Sequence, residues 1–129
     1  MRALLKFSLL LSATLMLASA NAQVCVDSRN LTGTEDGTAL HPYRTVQAAV
    51  TAATTGQSVL VATGTYNEDV LVMDKALSLL GGFAGGSTVQ YQSETAGDFT
   101  TRDAVANLTE LNGTGAESVI ALLEAGASV

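Results

Sequence analysis

Cysteine, histidine, proline and basic residues are all scarce in this 129-residue chain, and three of these shortages close a class of function. The single cysteine, Cys25, cannot form an intrachain disulfide, so an exported form must be held by its core and its hydrogen bonds. Flanked by Val24 and Val26, it reads as a small buried apolar residue. The single histidine, His41, has no second imidazole or neighbouring cysteine with which to build a metal site. Its place before Pro42 suits a structural role instead. Six Lys and Arg against twelve Asp and Glu leave no basic stripe to neutralise phosphates, which argues against nucleic acid and anionic lipid as partners. Nor does any apolar run reach the ~20 residues that a membrane-spanning helix needs.

What is present begins with a processing signature. Arg2 and Lys6 precede a largely apolar stretch over residues 9–17, and the small residues Ala18-Ser19-Ala20 and Ala20-Asn21-Ala22 each fit an A-x-A cleavage sequence. Residues 1–22 are therefore expected to be a secretory signal peptide, giving a secreted, periplasmic or outer-surface protein with no transmembrane helix after cleavage. Cys25 follows Gln23 and Val24, so the lipoprotein pattern, with cysteine directly at the cut, is not met. Removing 1–22 takes Arg2 and Lys6 and no acid, leaving four basic residues against twelve acidic ones, a formal −8. Such a surface is an ordinary solubility device, and it would need calcium to bridge it to a polyanionic polysaccharide.

In the remaining 23–129, one modest domain is the most the length allows. Val24-Cys25-Val26-Asp27 reads as a short strand, followed by a polar loop over 28–40. Pro42 pushes His41 toward extended backbone, and Thr45 is placed to cap a helix over about 45–54. Val46, Ala49, Val50 and Ala53 fall at i, i+3, i+4 and i+7, one apolar face. Gly56 sits where a left-handed C-terminal cap is expected. From about residue 58 onward the pattern changes to short strands. Residues 58–62 form a buried one, Thr63-Gly64-Thr65-Tyr66 a turn, 69–73 a second strand, Asp74-Lys75 a corner and 76–80 a third. Three strands with polar corners inside about twenty-five residues match one coil of a solenoid.

Gly81-Gly82-Phe83-Ala84-Gly85-Gly86 is expected to end that coil. It lacks the Lys-Ser/Thr ending and following helix of a phosphate-binding loop. Residues 87–106 are polar and weakly patterned, an excursion from the body. Strand signals return at 107–111, with Asn112-Gly113 as a turn, again at 118–123, and from Ala125 onward. A terminal coil normally carries a polar cap, so an uncapped last coil points to the N-terminal part of a longer, C-terminally truncated solenoid, and to self-association through that coil.

Gly37-Thr38, residues 41–50 (HPYRTVQAAV), Gly56, Val59-Leu60-Val61, Gly64-Thr65-Tyr66 and Glu68 resemble the N-terminal cap and first coil of right-handed parallel β-helix proteins of the pectin-lyase-like superfamily. Residues 79–85, then Arg102-Asp103, Ala106-Asn107, Thr109, Leu111 and Gly113, are similar to bacterial secreted or surface β-helix proteins, including adhesin-like ones. The resemblance implies an all-β, right-handed parallel β-helix with a short N-terminal capping helix. The superfamily's lyases, esterases and hydrolases carry their sites on later coils, and no segment here matches those sites. No catalytic, cofactor-binding or metal residue is therefore carried over.

The remaining candidates are weak. Glu35-Asp36 and Glu68-Asp69 are adjacent carboxylates, but neighbours on a strand face opposite ways and do not converge on one sugar ring, so solvated corners are expected. Asp27, Asn30, Glu35 and Asp36 offer a loose oxygen collection, and weak calcium binding there stays open. Tyr43 and Tyr66 are expected to pack the cap onto the first coil. These readings lead to an exported scaffold module for adhesion or carbohydrate contact, with a polysaccharide or cell-surface ligand as partner. The alternative is the leading part of a polysaccharide lyase or hydrolase whose site lies beyond residue 129.

Overall fold

A computed structural model describes residues 23–115 and, as backbone alone, residues 120–123. The signal peptide expected over 1–22 and the strand expected from Ala125 onward lie outside the described residues. The described chain is mostly β with two short helices. In order it runs β1 (Gln23–Val26), α1 (Val46–Ala52), β2 (Ser58–Ala62), β3 (Gly64–Asn67), β4 (Val70–Met73), β5 (Ser78–Gly85), α2 (Thr88–Gln92), β6 (Asp98–Arg102), β7 (Thr109–Asn112) and β8 (Ile120–Leu123).

These strands form three sheets: a curled one ordered β1-β2-β5-β6, and two pairs, β3-β7 and β4-β8. The chain visits the three sheets in one order and then repeats it. β2, β3 and β4 each enter a different sheet; β5, β7 and β8 return to those sheets and pair in parallel with their predecessors. Ser58 lies opposite Ser78, twenty residues on, whereas Gly64 lies opposite Thr109, forty-five on. The extra length is the segment carrying α2 and β6, inserted between β5 and β7.

Strand alternation divides the apolar residues into two clusters. Val24, Val59 and Leu79 are in register and face an inner core with Val26, Val61, Tyr66, Val70, Val72 and the α1 residues Val46, Ala49 and Val50. Cys25, Leu60 and Leu80 are the intervening register row and face the other way, onto Ala62, Phe83 and Phe99. The central sheet is thus buried on both sides, which is why β2 reads as a continuous apolar run.

α1 forms as its periodicity dictates, with Thr45 Oγ1 accepting from the Ala48 N–H at 3.2 Å. Its far end departs from expectation. The helix stops at Ala53, whose backbone is extended, and Gly56 (φ +92°) serves the turn into β2, donating its N–H to Ala76 O. The last carbonyls are capped by a side chain, Lys75 Nζ, which donates to Val50, Thr51 and Ala53 at 2.7–3.1 Å. With those acceptors taken, no left-handed cap is required.

Three further expectations change. Of Thr63-Gly64-Thr65-Tyr66, expected as a turn, all but Thr63 belong to β3, because Gly64–Asn67 pairs in register with β7. The glycine run, expected to end the coil after a strand over 76–80, instead continues the strand to Gly85. Residues 81–85 are the second part of β5, and an extra residue is accommodated between the Leu60–Leu80 and Ala62–Phe83 pairs. Gly82 takes φ +95° there, a bulge that a residue with a Cβ adopts only under strain. Finally, residues 87–106 are not free of the body. Ser87 and Gln90 form a reciprocal capping box that starts α2, and β6 adds antiparallel to the edge of β5 at Phe83 and Gly85.

Candidate functional site

Asp27 follows β1 directly, and its side chain is completely buried, 0% exposed. A carboxylate removed from water must find donors. Arg29, two residues on, closes a fork on it, with Nε to Oδ1 at 2.8 Å, Nη2 to Oδ2 at 2.9 Å and the Arg29 backbone N–H to Oδ1 at 3.0 Å. Across the fold, the Gly86 N–H (2.9 Å) and the Tyr91 hydroxyl (2.7 Å) both donate to Oδ2. Arg29 Nη2 also donates to Ala84 O at 2.7 Å. Burial, and then the Asp27 carboxylate, push the Tyr91 hydroxyl far above its ordinary range, so Tyr91 stays a donor. Gly85 (φ +66°) passes so close to Asp27 that any side chain there would collide with it. All five hydrogen bonds on this carboxylate come from the framework itself. It clasps the α2 segment to the first strand.

The neighbouring residues considered as a calcium loop do not converge. Asn30, also buried, donates Nδ2 to Thr34 O and Pro42 O and accepts at Oδ1 from Thr32. Glu35 is exposed, and Asp36 accepts from the Thr38 N–H and hydroxyl, which hold its carboxyl below the usual range. Among the described residues, no group of three or more His, Cys, Asp and Glu is placed to hold a metal ion. His41 sits between two carboxylates, Nδ1 at 3.6 Å from Asp36 and Nε2 at 3.3 Å from Glu94, tying the 27–43 loop to the end of α2.

Of the paired carboxylates, Glu68 was expected as a solvated corner and is instead half-buried. It accepts the Val46 and Gln47 N–H groups at 2.9 and 2.8 Å, where the positive end of α1 favours an anion. Its neighbour Asp69 turns away to accept from Thr114 at 2.8–3.3 Å. Tyr43 and Tyr66 pack against the inner core, with the Tyr66 hydroxyl donating to Ala62 O at 3.0 Å.

Two surfaces remain. One is the outer face of the β3-β7 pair, a polar strip where Thr65 lies in register with Glu110 and Asn67 with Asn112, all four exposed. The Asn112 amide reaches the Asn67 amide oxygen at 3.5 Å. The other is an open cavity of about 270 Å³ in the inner core, running from Val46 and Tyr66 to a mouth at Arg102 and Leu108. Sequence reasoning missed the Asp27 clasp because its members are 64 positions apart. The Ser87-x-x-Gln90 capping signature was the signal from which α2 was readable.

Residues 30–117 match a family model described as a protein of unknown function, DUF1565. No curated protein and no solved structure matches the chain.

Proposed function

Since the chain belongs to the DUF1565 family, which is β-helix-like, we propose that it is a noncatalytic module of a right-handed parallel β-helix, exported to the bacterial surface or secreted, and acting as a scaffold for adhesion or carbohydrate contact. The observation that carries this reading is the use made of the two carboxylates that, among the described residues, the fold withdraws from solvent. Asp27 and Glu68 both end on donors of the framework itself, seven hydrogen bonds between them. The repeated winding through three parallel ladders supports the solenoid architecture, and the signature of residues 1–22 supports export.

The polar β3-β7 strip is the face best suited to a glycan. Its amides, hydroxyl and carboxylate offer donors and acceptors at the spacing of adjacent strands, about 4.8 Å. Ring stacking plays no part in this reading, since Tyr66, Tyr91, Phe83 and Phe99 are buried and Tyr43 packs against the inner core. The test is incubation of the secreted protein with a panel of neutral and acidic polysaccharides, with and without calcium, followed both for retention on the polymer and for new chain ends. Retention without depolymerisation is expected, weakened by Asn67→Ala and Asn112→Ala. Release of unsaturated or reducing ends would overturn the scaffold reading in favour of a lyase or hydrolase.

A further inference from the structure

The inner-core cavity is chemically lopsided. Its floor and walls are Val46, Val61, Tyr66, Leu79 and Leu111, and the polar groups on its glycine side are engaged within the fold. The Tyr66 hydroxyl donates to Ala62 O, and the Gly82 N–H donates to Thr109 Oγ1 at 2.9 Å. Gly82 O accepts from the Asp103 N–H at 2.7 Å, and Gly81 O accepts from Arg102 Nε at 2.6 Å. What lines the space is therefore mostly apolar, a poor match for a sugar and a good one for an aliphatic chain.

The mouth differs. The single bond from Nε to Gly81 O fixes Arg102 at the rim, and among the described residues no carboxylate lies within ion-pair distance of its guanidinium. Arg102 is the only cation among the residues that line the cavity, so it gives the mouth a positive charge that the apolar walls lack. Beside it Leu108 is 66% exposed, an apolar lip. We propose that this cavity binds a small anionic amphiphile, a medium-chain aliphatic carboxylate, with its chain between Leu79 and Leu111 and its carboxylate on the free Nη groups of Arg102. The volume of about 270 Å³ sets the length, falling below the ~300–1,000 Å³ typical of sites for larger ligands.

Octanoate, octanol and octylamine, kept below micelle formation, are the probes, with calorimetry for affinity and methyl NMR for location. Octanoate binds saturably and shifts the methyls of Val61, Leu79 and Leu111; octanol binds more weakly and octylamine does not bind. Arg102→Gln weakens octanoate roughly tenfold or more, the worth of a charge-assisted hydrogen bond, and leaves octanol unchanged. Ala104→Glu, an exposed change at the rim that gives Arg102 a partner, has the same effect without altering the melting midpoint. Equal binding of octanoate and octylamine, an unaltered Arg102→Gln, or core methyls that ignore octanoate would overturn the proposal. So would methyl shifts that follow protein concentration alone, which would make a second copy the occupant.

Discussion

The side-chain amide of Gln47 hydrogen-bonds both peptide groups of Leu71, accepting its N–H at 2.7 Å and donating to its carbonyl at 3.1 Å. A neighbouring strand would make the same two bonds, so the cap helix closes the free edge of β4 with one side chain. Gln47→Ala removes both bonds and is expected to cost about 1–2 kcal/mol, read from urea unfolding. Gln47→Glu loses the donor and sets a carboxylate against the Leu71 carbonyl, so it falls at least as far. An unchanged midpoint in both would show that the contact does not stabilise the lid.

The same helix is held at each end by the first coil, Glu68 on its leading N–H groups and Lys75 on its last carbonyls. A helix of seven residues is too short to be stable alone, so these contacts count. Glu68→Ala is expected to destabilise by about 1–2 kcal/mol and to speed hydrogen exchange at Val46 and Gln47. Lys75→Met keeps the aliphatic stem, loses three donors and costs about 1–2 kcal/mol. Protection at Val46 and Gln47 that survives Glu68→Ala would contradict this assignment.

How much was legible follows from which interactions are local. α1 was readable because its apolar spacing and Thr45 cap lie within ten residues, and β2 because Val59-Leu60-Val61 needs no partner to look buried. Gly64–Asn67 was not, since its strand character comes from Thr109–Asn112, forty-five residues away. Glycine misled twice, at Gly56 and along 81–86, because it marks permissive backbone without saying whether a turn, a bulge or a close approach uses it. Glu68 looked like a solvated corner because its donors lie on α1, which only the tertiary fold brings near, and Asp27 looked like part of a loose oxygen collection because two of its five donors, Gly86 and Tyr91, lie about sixty residues away.

Removing one member of the Asp27 clasp leaves the others buried and unpaired. Asp27→Ala strands the Tyr91 hydroxyl and the Gly86 N–H and frees Arg29, with an expected loss of about 3–5 kcal/mol. Tyr91→Phe removes a single donor and is expected to cost about 1–3 kcal/mol. Limited proteolysis should then cut first within 86–108, the segment the clasp holds. Cleavage elsewhere at wild-type rates would contradict that role.

Alkaline pH tests the same burial. Desolvation pushes the Cys25 thiol up from 9.0 to about 11. Tyr66, through burial and then the charge of Asp27, rises from 10.0 to about 12. Because the unfolded chain loses these protons first, the stability they contribute is complete below pH 9 and declines as pH rises from 9 to about 12. Urea midpoints measured across this range should fall from pH 9, and in Cys25→Ala only from about pH 10, where Tyr66 and Tyr91 begin to count. A flat profile to pH 11 would contradict the burial of these groups.

The most direct measurement is the pattern of interstrand NOEs in the labelled protein. Amide-to-α contacts are expected between 58–60 and 78–80, between 64–67 and 109–112, and between 70–73 and 120–123, as parallel registers require. Close α–α contacts joining β2 to β3 or β3 to β4 as antiparallel hairpins would contradict the repeated winding on which the scaffold account stands.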